Sequence, residues 1–160
     1  MKKIVSFVLS MVLLMGCMNL QVHAEESSYP MAVHTYTATE DLASDEWSIA
    51  QRGAYLLDGF SCIARASGNY INISGDTTAT QTCDKVILTL HVERSTSYAT
   101  GYSTYKTFTY SADNVYQLAK EISNIYVERG YYYRVFAVHS VTEGNVIETT
   151  DSVTDPISYI

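Results

Sequence analysis

Between Lys85 and Arg94 the chain alternates with a period of two. Val86, Leu88, Leu90 and Val92 hold one parity; Lys85, Thr89, His91 and Glu93 hold the other, with Ile87 alone out of step. Successive side chains of an extended strand point to opposite faces, so this segment reads as a strand with one face in a core and one toward water. A helix, at about 3.6 residues per turn, would scatter those apolar residues around its circumference.

The surrounding sequence agrees with this reading. From about Gly53 onward β-branched and aromatic residues dominate, and turn residues punctuate short runs. Asp58-Gly59, Ser67-Gly68-Asn69, Ser74-Gly75-Asp76 and Glu143-Gly144-Asn145 read as turns. Between them lie strands over Phe60–Ala66, Tyr70–Ile73, Lys85–Arg94, Tyr102–Tyr110, Tyr131–His139 and Val146–Thr150. The stretch from Val115 to Tyr126 is ambiguous. Val115, Leu118, Ala119, Ile122 and Ile125 fit a helical stripe, yet Ile125-Tyr126-Val127 is β-prone. A strand is predicted over Asn124–Glu128, with a short helix over Asn114–Ser123 as the alternative upstream. About seven short strands at regular spacing predict an all-β sandwich over residues 53–160.

The N-terminus reads as an address. Lys2 and Lys3 precede an apolar run from Ile4 to Met18, and Val22-His23-Ala24 precedes Glu25. That pattern describes a secretory signal peptide cleaved between Ala24 and Glu25. The run is shorter than the ~20 residues of a bilayer span, and no later segment is apolar enough to cross. Leu14-Met15-Gly16-Cys17 resembles a lipoprotein box, so a lipid anchor on Cys17 is the alternative to a secreted, extracellular chain. Residues 25–52 follow as an acidic leader with no Lys before Arg52. They read as loosely ordered, with one short helix around Leu42–Gln51 and Trp47 and Ile49 as docking anchors. The chain carries 10 Lys+Arg against 17 Asp+Glu. That balance argues against nucleic acid or anionic lipid as partner, because both require a basic face.

Beyond the signal two cysteines remain. Cys62 and Cys83 enclose 20 residues. In an exported protein they read as a disulfide, which would contribute about 3 kcal/mol; two buried free thiols are the alternative.

Two stretches carry a family resemblance. One is Gln51-Arg52-Gly53-Ala54-Tyr55-Leu56-Leu57-Asp58-Gly59 with Ala64-Arg65-Ala66-Ser67. The other is Gly130-Tyr131-Tyr132-Tyr133-Arg134-Val135 with Val138-His139, Glu148-Thr149-Thr150 and the Tyr-Ile terminus. Together they resemble a family of small secreted proteins of unknown function from Gram-positive anaerobic bacteria, over about residues 51–160. The resemblance brings no activity with it. Against that pattern Cys62 and Cys83 are joint departures, which supports their pairing. Tyr131, Tyr133, Val135 and Ala137, with Arg134 outward, are also similar to the penultimate strand of fibronectin type III and immunoglobulin-like sandwiches. That similarity implies an immunoglobulin-like sandwich, with Tyr131 making the tyrosine-corner hydrogen bond.

No constellation of residues announces catalysis. There is no Gly-x-Ser-x-Gly, and neither cysteine has a Cys-His motif about it. His91 is expected outward and His139 inward, which leaves no shared metal site and no cofactor. Glu148, Asp151 and Asp155 cluster, but without the spacing of an EF-hand. The tyrosines stand out: there are 14, against one Trp and four Phe. Tyr98, Tyr102, Tyr105 and Tyr110 lie along one Thr/Ser-rich strand and its approach. Tyrosine joins a rigid apolar ring to a hydrogen-bonding tip, which suits recognition. The expectation is a non-enzymatic binding or adhesion-type module presenting these four rings to a glycan or protein. A structural subunit of the cell surface assembling through strand edges is the alternative.

Overall fold

The structure, a computed structural model, describes residues 32–49 and 54–160. The proposed signal, its cleavage site at Ala24 and Glu25, and Cys17 lie outside them. Eight strands form one antiparallel sheet: β1 (Ala32–Ala38), β2 (Leu42–Ile49), β3 (Leu56–Ala66), β4 (Tyr70–Ser95), β5 (Ser103–Tyr126), β6 (Tyr131–Glu143), β7 (Val146–Val153) and β8 (Ile157–Tyr159). The hydrogen-bonded order is β1-β2-β3-β4-β6-β7, with β5 along the other side of β4 and β8 on β6.

The all-β expectation holds, but with eight strands among the described residues, two of them far longer than expected. β4 runs 26 residues and β5 runs 24. The first half of β4 pairs with β3 and its second half with β6, while β5 follows both halves. The sheet therefore curls over on itself. One lobe holds β1, β2, β3 and the first half of β4; the other holds the second half of β4 with β6, β7 and β8. Two layers do face each other, as a sandwich requires. By hydrogen bonding, however, they are one sheet, in place of the two separate sheets that an immunoglobulin-like domain stacks.

The fold-over lies at a defined corner. Between Thr78 and Cys83 the register to β5 slips, and Asn114 of β5 sits there at φ 57°. The inward parity of β4 changes across it. Ile71, Ile73, Thr77 and Ala79 are buried before the corner, and Val86, Leu88, Leu90 and Val92 after it. A strand with one fixed parity would turn its apolar set to solvent in one of the lobes. β5 has no helix within it. Leu118, Ile122 and Ile125 lie opposite Thr77, Ile73 and Ile71, so pairing with β4 overrides the helical stripe.

Two of the predicted turns are strand interiors. Gly59 lies within β3 and Gly75 within β4. A Cβ on Gly59 would lie 2.5 Å from the His139 ring, and one on Gly75 would lie 2.7 Å from Leu90 Cδ2. Glycine is there because the opposite lobe comes that close. The turns at Gly68 and Gly144 are real, each with the glycine at positive φ between paired strands.

Residues 32–49 of the acidic leader are part of the sheet as well. β1 and β2 form a hairpin, and β2 pairs with β3 from Leu42↔Ala64 to Ser48↔Asp58. A strand replaces the expected helix because β3 offers an edge, and because Ala43 and Asp45 alternate inward, both fully buried. The Trp47 and Ile49 side chains lie outside what is described.

The disulfide is not formed; Cys62 and Cys83 are free thiols. Ser61 and Ile63 are buried, so the half-exposed Cys62 points outward from β3, opposite Ser74. Cys83 is buried and points inward at the corner, with Sγ 3.4 Å from the Gln81 carbonyl. Side chains on opposite faces of one sheet cannot meet the ~4 Å Cβ separation that a disulfide requires.

Candidate functional site: an aromatic platform on the outer face

The outward parity of β5, β4, β6 and β7 builds one continuous face. Across it run Thr107, His91, Phe136 and Val153, and beside them Thr109, Thr89, Val138 and Asp151. Each buried residue of β4 and β6 has its neighbours on this face, so a good inner face dictates a populated outer one. Thr107 Oγ1 lies 2.9 Å from His91 Nδ1, and the His91 ring stacks on Phe136 at 5.8 Å. Thr89 and Thr109 meet at 3.3 Å.

At the end of this face nearest the β4–β5 loop the aromatics concentrate. Ser95 holds the loop, donating from Oγ to the Thr100 carbonyl at 2.6 Å and accepting from the Ser97 amide. Gly101 turns it at φ 77°. The loop so held carries Tyr98 and Tyr102. Tyr102 donates from its hydroxyl to the Tyr98 carbonyl at 2.8 Å. Its ring lies under the Arg134 guanidinium at 4.1 Å. Arg134 is in turn fixed by Glu93 at 2.7 Å. Tyr98 stands edge-on to Tyr132 at 5.6 Å and is 56% exposed. Burial, opposed by Arg134 and reinforced by Tyr98, Tyr132 and Glu93, pushes the Tyr102 phenol up to about 12. The ring is therefore a neutral, fixed surface at any ordinary pH.

The four predicted rings do not share one face. Tyr98 and Tyr102 join the platform, but Tyr105 and Tyr110 turn inward. The cause is a bulge: Val92 pairs with Lys106 and Glu93 with Thr104, which leaves Tyr105 as the extra residue. A bulge re-aims the side chain it inserts. Tyr105 consequently packs edge-on against the buried Tyr133 at 5.9 Å, under Arg94 at 4.6 Å. Tyr110 packs against the core, 5.3 Å from Lys120 Nζ. Sequence reasoning missed Tyr132 and Arg134 as members of the platform. Their outward parity on β6 was the available signal.

The family model of DUF6147, a family of unknown function, matches residues 22–156. The chain is a member of the DUF6147 family. The match includes the β1–β2 hairpin and the sheet through β7, so this DUF6147 chain has its leader inside the family's boundaries. No curated protein and no solved structure matches the chain.

The other polar groups of note in this DUF6147 protein are hydrogen-bonded within the fold. Tyr133, not Tyr131, makes the corner hydrogen bonds: its hydroxyl donates to the Glu128 carbonyl at 3.0 Å and accepts from the Glu128 amide at 2.9 Å. Glu148 accepts from the amides of Ala54, Tyr55 and Leu56 at 3.0, 3.0 and 2.6 Å, so its oxygens face amides rather than a cation. Among the described residues no group of three His, Cys, Asp or Glu is placed to hold a metal. His139 is buried, with Thr77 and Ser152 at its two nitrogens, while His91 is on the outer face. A hollow of about 350 Å³ lies on the outer face of the other lobe, lined by Phe60, Ser74, Asp76, Lys120 and Glu121 among others. There Asp76 accepts from Thr78 at 2.7 Å and Gln117 at 2.6 Å. No helix among the described residues is long and apolar enough to cross a membrane.

Proposed function

We propose that this protein is an exported, non-enzymatic binding module whose ligand, a glycan or a protein segment, lies on the outer face at the Tyr98–Tyr102–Tyr132 platform. One observation carries the reading: three tyrosines and an arginine are locked by hydrogen bonds, an ion pair and ring contacts, yet one ring remains 56% exposed. A ring held still in water has already lost its rotamer freedom, so binding to it costs less entropy. The adjoining Thr107, Thr109 and Thr89 hydroxyls would supply polar contacts beside the rings. Export is the role that the N-terminal Lys2-to-Ala24 pattern supports.

The test is a glycan and host-protein array probed with the purified protein and with Tyr98→Ala/Tyr132→Ala. The variant should lose binding roughly tenfold or more, as hot-spot tyrosines do, with an unchanged far-ultraviolet circular dichroism spectrum. Equal binding by both proteins would remove the platform from the ligand site.

A further inference from the structure

β5 is hydrogen-bonded on one side to β4 along its length, and on its other side, among the described residues, to no strand. Such an edge offers a row of backbone donors and acceptors to any extended partner. Asn114 and Asn124, both at positive φ, and the bulge at Tyr105 interrupt the edge, so its regular run is Lys106–Asp113. Edges that must stay single usually carry charges on the exposed parity. Here Thr107, Thr109 and Ser111 occupy it, all exposed and uncharged, and the one charge, Asp113 at the end of the run, is paired with Lys85 at 3.8 Å. The inward parity presents Lys106, Phe108 and Tyr110, each only half covered.

We propose that a second copy of this chain pairs antiparallel with the Lys106–Tyr110 stretch of β5 about a two-fold axis at Phe108. The sequence is self-complementary in that register. Phe108 faces its own copy, Thr107 faces Thr109, and Lys106 faces Tyr110. Aromatic and threonine pairs are favourable directly across strands. The Lys–Tyr pairing repeats a contact the single chain already makes, Lys106 over Tyr105 at 5.1 Å and Lys120 over Tyr110 at 5.3 Å. An axis at Lys106 would set that ammonium against its own copy, and an axis at Tyr110 would set it against the kinked Asn114. Lys106 thereby disfavours both of those registers. The pairing is isologous, so it closes at two copies. It also continues the outer face of one copy into that of the other.

Sedimentation equilibrium on the purified full chain, in reductant to keep Cys62 and Cys83 from cross-linking, tests this. The wild type should be a dimer that dissociates on dilution. Thr107→Lys/Thr109→Lys sets lysine opposite lysine twice and should weaken association roughly tenfold or more. Thr107→Lys/Thr109→Glu sets opposite charges in the same two pairs and should restore it. Both residues are exposed, so both variants should keep the wild-type circular dichroism spectrum. A wild type that is monomeric throughout would overturn the proposal, as would a dimeric Lys/Lys variant. A Lys/Glu variant that stays monomeric would overturn the register at Phe108.

Discussion

His139 is fully buried, and each of its ring nitrogens meets a hydroxyl at 2.9 Å, Thr77 on one side and Ser152 on the other. Ser152 donates its own hydroxyl hydrogen bond to Ser61, 2.8 Å away on β3, so four side chains from four strands and both lobes form one buried polar chain. Burial lowers the His139 pKa from 6.5 to about 4, against a smaller upward contribution from the Asp76 backbone. Above pH 6.5 the imidazole is neutral in both folded and unfolded chains, and the contribution to stability is full. Between 6.5 and 4 the unfolded chain takes up a proton that the folded one refuses, so stability falls. Below about 4 both are protonated and the loss levels off, at about 3 kcal/mol. Urea melts across this window should show the fall, and His139→Gln, which keeps hydrogen bonding without titrating there, should flatten it. Parallel slopes for the two proteins would refute the assignment. The inward side of His139 was legible in the alternation of β6. Its hydroxyl partners were not, because Ser61, Thr77 and Ser152 lie on three other strands.

Within elements, the glycines separate local from tertiary causes. Gly68 and Gly144 adopt positive φ in tight turns, a demand that the neighbouring Ser, Asn and Glu residues announce. Gly75 is in a strand because Leu90 Cδ2, Leu88 Cδ1 and the Phe60 carbonyl crowd its missing side chain. Sequence context cannot distinguish that from a turn, and reading both kinds alike divides β3 and β4 into short pieces. Gly75→Ala should therefore destabilise by about 1–3 kcal/mol in chemical unfolding, as overpacking does. Trimming the neighbour with Leu90→Val should recover part of the loss in the double variant. An alanine at 75 that is neutral or stabilising would mean the close approach is absent. The same limit applies to β5. Its helical stripe is real as a pattern, but Leu118, Ile122 and Ile125 acquire strand neighbours only once β4 is in place.

For the whole molecule, the decisive contacts are those that clip one lobe to the other. Glu148 of β7 accepts three consecutive amides at the start of β3, and Asp45 of β2 accepts the Val153 amide at 2.7 Å. Glu148→Gln keeps the size but replaces one acceptor oxygen by a donor that faces amide hydrogens. It should cost about 1–3 kcal/mol, because the part-buried Tyr55 and Leu56 amides lose their acceptor. Hydrogen exchange should become faster at residues 54–56 while the Val86–Val92 core stays protected; uniform change would disfavour a local clip. By itself the sequence determined the all-β class, the inward and outward parity of the regular strands, two real turns and the abundance of tyrosine. These follow from local chemistry: period-two hydrophobicity, β-branching and left-handed turn residues. Only the tertiary structure decided that β4 and β5 bend through both lobes, that the acidic leader closes onto β3, that Cys62 and Cys83 face apart, and that a bulge at Tyr105 parts the tyrosines. Each of these depends on which strand becomes the neighbour of which, and that choice is made by contacts between residues far apart in the chain.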